Sequence, residues 1–127
     1  MSFRNRIDPL SIGLILLVLV ISFLSLQPKD GPIEIEINDK LGHFLAYSAL
    51  TLNAGLVFSK RAWVGVLIFG YSLMLESLQN FIPGRIFSIY DLIANTAGVL
   101  FGTTILAIFG STILRICIKL KLTSRST

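Results

Sequence analysis

The chain has 127 residues, of which 54% are hydrophobic and 14% are charged, and its formal net charge is +4. Its mean hydropathy is +0.80. So apolar a composition excludes an ordinary water-soluble globular protein and indicates an integral membrane protein. The positive charge fits the basic flanks of membrane helices, and no nucleic-acid partner is predicted.

Four apolar blocks follow one another along the chain, at residues 10–26, 41–58, 62–78 and 92–118. A helix needs about 20 residues to cross the ~30 Å hydrocarbon core of a bilayer. The blocks lack the alternating pattern of barrel strands, so each predicts a membrane-spanning helix. We therefore predict an all-α protein, a four-helix bundle integral to the membrane, with one domain over residues 1–127.

Lysine and arginine are distributed unevenly between the two ends of the predicted helices. Eight of them lie at the end that holds both termini, and three, Lys29, Lys40 and Arg85, lie at the opposite end. The cytoplasmic flanks of membrane helices carry the excess of both residue types. Both termini are therefore predicted to be cytoplasmic, in a multi-pass protein of the inner (cytoplasmic) membrane.

Polar side chains collect at the predicted outer end of three helices, within about two helical turns of the membrane boundary. Those at positions three or four apart share a helix face. Because a charge that faces lipid costs several kcal/mol, these faces are expected to turn inward and meet. The residues are Asp39, Lys40, His43, Tyr47, Glu76, Gln79, Asp91 and Asn95, with Arg85 in the loop between the third and fourth helices.

Small residues recur at every fourth position of the fourth helix, at Ala94, Gly98 and Gly102. This pattern lets helix backbones approach closely in lipid. We assign structural roles to these three residues and to Asp39, and we expect the fourth helix to be central. Ser88, three residues before Asp91, is typical of a helix N-cap, which gives Asp91 a structural explanation beside a functional one.

Three segments give the chain a resemblance to a known family. They are DKLGHFLAY at residues 39–47, ESLQ at 76–79 and PGRIFSIYDLIANTAGVLFG at 83–102. With these segments in this order, the chain resembles VanZ-like membrane proteins over about residues 39–106. That family takes its name from a protein associated with resistance to the glycopeptide antibiotic teicoplanin. The resemblance implies a protein of the bacterial cell envelope, and the matching positions are Asp39, Lys40, His43, Tyr47, Glu76, Gln79, Arg85, Asp91, Asn95 and Gly98.

The polar cluster suits a site for a lipid headgroup. An arginine and a lysine can hold a phosphate, while a carboxylate or a histidine moves a proton. We predict catalytic roles for His43, Glu76 and Asp91, and membrane lipids as the binding partner. Substrate binding is predicted for Lys40, Tyr47, Gln79, Arg85 and Asn95, with Arg85 as the main anion holder because its planar fork of donors matches a phosphate.

Three other interpretations stay open. One is a divalent-metal site, but the sequence has no second histidine and no recognised metal motif, so we predict no metal and no cofactor. In another, the charges pair with one another and fix the packing of the helices. In the third, the chain is a non-enzymatic subunit that docks within the membrane onto a larger complex. The ligands of the metal site would be Asp39, His43, Glu76 and Asp91.

Cysteine labelling tests the predicted topology. In a background without Cys117, the only cysteine of the sequence, Ser59→Cys is expected to resist a membrane-impermeant reagent added from outside. The reason is that residues 59–61 are predicted to be cytoplasmic. Asp30→Cys, in the predicted outer loop at residues 27–39, is the matched control and is expected to react. Labelling of Ser59→Cys from outside contradicts the topology.

Overall fold

The computed structural model describes residues 7–30, 37–58 and 61–124, without the side chain of Arg61. This part of the chain folds into four α-helices and contains no strand, which confirms the all-α prediction. A 3₁₀ turn at Gln79–Phe81 continues the third helix. The α-helices are α1 (Pro9–Ser25), α2 (Ile37–Val57), α3 (Arg61–Leu78) and α4 (Ile89–Lys119).

Two helices begin at residues that the sequence provides as caps. Asp8 precedes α1, and its side chain accepts the N–H of Ser11 at 2.9 Å. Pro9 stands at the first helical position, where its missing N–H leaves no bond unmade. Ser88 precedes α4, and its hydroxyl accepts the N–H of Asp91 at 3.2 Å, which confirms the predicted N-cap. The Asp91 carboxylate in the first turn also complements the helix dipole.

Helices α1 and α3 run in one direction, and α2 and α4 run in the other. The N–H of Lys29 donates to the carbonyl of Pro83 at 3.3 Å, which joins the residue stretch after α1 to that after α3. At the opposite end, the N–H of Leu10 donates to the carbonyl of Leu122 at 3.0 Å. The end of the bundle that holds the Lys29–Pro83 contact is called the polar end here. At this end α1 and α3 finish and α2 and α4 begin.

The backbones of α2 and α4 approach closely where glycines of α4 face α2. A Cβ on Gly98 would lie 2.4 Å from the carbonyl oxygen of Phe44, and one on Gly102 would lie 2.8 Å from Cβ of Thr51. The hydroxyl of Ser48 also crosses this contact, 3.3 Å from the Gly98 carbonyl oxygen. The small residues therefore set the spacing between α2 and α4.

Within the described ranges, two helices are long and apolar enough to cross a membrane. They are Ala62–Phe81, with a mean hydropathy of 1.3, and Ile89–Lys119, with 1.9. Helix α1 is apolar but shorter, at 17 residues. Large apolar side chains point outward from the bundle, including Leu19, Trp63 and Ile108, each at least 60% exposed. The predicted orientation is based partly on four basic residues that lie outside the described residues, namely Arg4, Arg6, Lys60 and Arg125.

Gly98→Ala is expected to destabilise the bundle, because the added methyl group forces α2 and α4 apart. Overpacking of this kind costs about 1–3 kcal/mol. Gly70→Ala is the matched control, since a Cβ at Gly70 meets nothing within 4 Å and alanine favours a helix. Thermal unfolding in detergent measures both variants. Equal melting temperatures would contradict the close approach of α2 and α4.

Candidate functional site

Three helices contribute buried polar side chains to the polar end. Asn95 of α4 is 0% exposed and Glu76 of α3 is 2% exposed. His43 of α2 reaches the same place, with its Nδ1 2.8 Å from Oδ1 of Asn95. Polar groups so deeply buried need hydrogen-bond partners, and Asn95 supplies one to His43 and one to Glu76.

Asn95 connects the three helices through its amide group. Its Nδ2 donates to Oγ of Ser72 at 2.9 Å and to Oε1 of Glu76 at 3.4 Å, both on α3. Because a carboxylate oxygen only accepts, this orientation leaves Asn95 Oδ1 as the acceptor that faces His43. The neutral ring of His43 then carries its proton on Nδ1 and a lone pair on Nε2.

Two carboxylates face the Nε2 atom of His43. Oδ2 of Asp91 lies 3.7 Å from it and Oδ2 of Asp39 lies 3.9 Å from it, both beyond hydrogen-bond range. The side chains of His43 and Asp91 are only 14% and 10% exposed. One ligand atom from each of the three residues lies within 4.8 Å of the others. We call Asp39, His43 and Asp91 the Asp–His–Asp cluster.

Lysine side chains bring positive charge to the same carboxylates. Nζ of Lys40 contacts Oδ1 of Asp91 and lies 3.3 Å from Oδ2 of Asp39. Nζ of Lys29 lies 3.6 Å from the other oxygen of Asp39, at a more exposed position. Lys40 is thus an ion-pair partner of both aspartates of the cluster.

Arg85 and Gln79 contact the end of α1 instead of the Asp–His–Asp cluster. The Arg85 guanidinium donates from Nε to the carbonyl of Gln27 and from Nη2 to the carbonyl of Leu24 at 2.9 Å. Nε2 of Gln79 donates to the carbonyl of Ser25 at 3.1 Å. These bonds serve carbonyls at a helix end, where intrahelical partners run out. Among the described residues, no ion pair joins Arg85 to a carboxylate.

The position of Arg85 depends on the glycine before it. Gly84 has φ +75°, in the left-handed region that favours glycine. A Cβ there would lie 1.8 Å from the carbonyl oxygen of Lys29. Only glycine therefore lets this loop lie against the residues after α1, where Arg85 reaches their carbonyls.

A cleft of about 310 Å³ lies between α1 and α2, beside the Asp–His–Asp cluster. This volume is at the lower end of the range for small-molecule sites. Tyr47 also lines it, 2% exposed, with its hydroxyl hydrogen-bonded to the side chain of Ser72. The cleft combines two kinds of lining: apolar residues, Ile21, Leu24 and Ala46, and charged or ionisable ones, Asp39, His43 and Arg85.

Comparison with known proteins places the chain in a family. The family model described as VanZ/LLP1 matches residues 7–110, which include α1, α2, α3 and most of α4. The chain belongs to the VanZ/LLP1 family. The resemblance seen in the three sequence segments is thereby confirmed, and the match extends further toward the N-terminus. Comparisons with curated proteins and with solved structures gave no match.

Membership in the VanZ/LLP1 family points to a protein of the cell envelope. Two apolar helices of spanning length agree with that setting. The roles predicted for individual residues remain predictions, since family membership assigns no reaction to any of them. What the structure adds is their arrangement.

The predicted site residues divide into two groups in this VanZ/LLP1 chain. One group is joined around Asn95 and the Asp–His–Asp cluster, and the other, Arg85 and Gln79, holds the end of α1. Ala94 is half-buried on α4, while Gly98 and Gly102 pack on α2. The first group comprises Asp39, Lys40, His43, Glu76, Asp91 and Asn95, with Tyr47 linked through Ser72.

Sequence reasoning missed Ser72 and the α1 carbonyls. Ser72 lies four residues before Glu76 on the same face of α3, so helical spacing could have found it. The carbonyls of Leu24 and Gln27 are backbone groups, and no side-chain pattern marks them. The contact of Arg85 with α1 is therefore visible only in the folded chain.

Asn95→Ala is expected to lower the free energy of unfolding by about 1–3 kcal/mol, because it leaves buried atoms of His43 and Glu76 without their partner. Asn53→Ala is the matched control, since Oδ1 of Asn53 is buried without a hydrogen-bond partner among the described residues. The control is expected to lose less stability. Denaturation in detergent measures both, and equal losses would contradict the network around Asn95.

Proposed function

We propose that this VanZ/LLP1 chain is an integral protein of the cytoplasmic membrane whose outward-facing polar end binds the headgroup of an envelope lipid. The outward apolar side chains of α1, α3 and α4 support the membrane part of the proposal. Eight lysines and arginines lie at the end that holds both termini, and three lie at the opposite end. This distribution supports an orientation with both termini inside. Helices α1 and α2 would cross beside the other two helices, which are long and apolar enough to span a membrane.

The mixed lining of the cleft between α1 and α2 carries the lipid proposal. A lipid brings an apolar tail and a polar headgroup to one place, so its site needs both kinds of surface. The cleft sets Ile21 and Leu24 beside His43 and Arg85. Leu24 of α1 lines the cleft and is also 56% exposed at the surface of the bundle. It would face the bilayer from which a lipid arrives.

Arg85 supplies the donors that would recognise a phosphate. A guanidinium has five N–H groups, and two of those of Arg85 bind α1 carbonyls. The other three make no hydrogen bond with a described residue. Because the two carbonyl bonds already fix the guanidinium, little side-chain freedom remains to be lost when an anion binds. His43, also in the cleft, is the ionisable side chain that would lie beside the headgroup.

Gly42→Leu tests the lipid proposal by filling the cleft. Gly42 lines the cleft, and a Cβ there meets nothing within 4 Å, so the larger side chain enters open space. Mass spectrometry of lipid retained by the detergent-purified protein is expected to show a marked loss relative to the unaltered chain. Gly70→Leu, which also adds leucine at an open helical position, is the matched control and is expected to retain lipid.

Melting temperatures are measured on the same two variants. Loss of lipid from Gly42→Leu with an unchanged melting temperature supports the cleft as the lipid site. Equal lipid retention by Gly42→Leu and Gly70→Leu contradicts it. Co-purification of the chain with one larger membrane complex, and with no lipid, would favour the accessory-subunit alternative.

A further inference from the structure

We propose that the Asp–His–Asp cluster binds a divalent transition-metal ion, Zn²⁺ or Mn²⁺. The cluster offers one imidazole nitrogen and two carboxylate oxygens. Imidazole suits Zn²⁺ and other transition metals, whereas Mg²⁺ and Ca²⁺ prefer oxygen ligands alone. The cation would complete its coordination with water or with a ligand from the cleft.

The distances in the cluster fit a metal after small adjustments. Zinc bonds of about 2.0–2.2 Å place neighbouring ligand atoms roughly 3.4 Å apart in a tetrahedral site. His43 Nε2 lies 3.7 Å from Asp91 Oδ2 and 3.9 Å from Asp39 Oδ2. These two pairs must therefore close by only a few tenths of an ångström, which rotation of partly exposed side chains can supply. One ligand atom from each of the three residues already lies within 4.8 Å of the others.

Surrounding hydrogen bonds aim the histidine at the proposed ion. A metal-binding histidine usually donates its other N–H to an acceptor that fixes its tautomer. Here Nδ1 of His43 faces Oδ1 of Asn95, and Asn95 is itself held by Ser72 and Glu76. The lone pair of Nε2 and the two carboxylates consequently converge. Three acceptors that face one space are stabilised by a positive charge between them.

Lys40 is the internal competitor for that charge. Its ammonium group contacts Asp91 and lies 3.3 Å from Asp39, so it already neutralises part of the cluster. A lysine side chain is long and flexible, and it can swing toward water when a divalent ion takes its place. Removal of Lys40 should therefore strengthen metal binding. If Lys40 only formed a structural ion pair, its removal would leave the carboxylates without a cation, and no metal ion would take its place.

A bound metal ion would also explain how a cluster that contains two carboxylates could bind a phosphate. Asp39 and His43 line the cleft, so open coordination positions of a bound metal would face it. A divalent cation can join carboxylates to phosphate oxygens. This consequence, unlike the metal site itself, rests on the proposed lipid function.

Titration of the detergent-purified protein tests the metal site directly. The protein is stripped with EDTA, no phospholipid is added, and Zn²⁺, Mn²⁺ and Mg²⁺ are titrated separately by calorimetry. We expect one equivalent of Zn²⁺ or Mn²⁺ to bind and to raise the melting temperature, with weaker binding of Mg²⁺. His43→Gln should lower the affinity by about tenfold or more.

Lysine variants separate the metal site from a structural ion pair. Lys40→Met is expected to bind Zn²⁺ or Mn²⁺ more tightly than the unaltered chain and to regain its melting temperature when the metal is added. Lys29→Met is the matched control, because Lys29 contacts only Oδ1 of Asp39, which is not the oxygen nearest His43. Its affinity should change little.

Asp91→Asn alone removes one of the two carboxylates that pair with Lys40, so the double variant Lys40→Met with Asp91→Asn is used to keep the charge balanced. It should bind more weakly than Lys40→Met. Absence of one-equivalent binding in both the unaltered chain and Lys40→Met overturns the proposal, and so does an affinity that is unchanged in His43→Gln or that is as high in the double variant as in Lys40→Met. Since the titration measures metal binding and not retained lipid, failure here is distinct from failure of the lipid-retention experiment.

Discussion

The buried amide of Asn95 is the interaction on which the arrangement of the polar end depends. It is 0% exposed, and it is bonded to α2 through His43 and to α3 through Ser72 and Glu76. In an apolar environment each of these groups would be costly without a partner. The close approach of α4 to α2 at Gly98, one turn further along, makes the bond to His43 possible. Packing and polar contacts therefore specify the same relative position of the helices.

Charge at the polar end is separated into two places. Near Asn95, the Asp–His–Asp cluster gathers two carboxylates that pair with Lys40 and, at Asp39, with Lys29. Across the cleft, Arg85 is fixed by α1 carbonyls. A helix bundle that needed only structural ion pairs would gain little by burying the carboxylates of Glu76 and Asp91, because desolvation offsets much of the attraction of a buried ion pair. The separation instead suits a site that receives a ligand from outside.

Sequence patterns predicted the helices and the membership of the polar cluster for physical reasons. Apolar blocks and the Ser88 cap mark helices locally, and the cost of charge in lipid requires the polar faces to meet. The individual partners were not predictable. Shared depth suggested that Arg85 would join the carboxylates, yet its long side chain reaches carbonyls of α1. Likewise, spacing placed Asp39 and His43 on one face, but only the packing of α4 adds Asp91 to them.

The tautomer of His43 tests most directly whether Asn95 orients this site. The chain has one histidine, so ¹⁵N labelling of histidine reports on His43 alone. For the neutral ring, we predict a spectrum with the proton on Nδ1 and an unprotonated Nε2. Added Zn²⁺ should then shift the Nε2 resonance far more than that of Nδ1. A neutral ring protonated on Nε2 would contradict the account, because that nitrogen could not face the two carboxylates as a metal ligand.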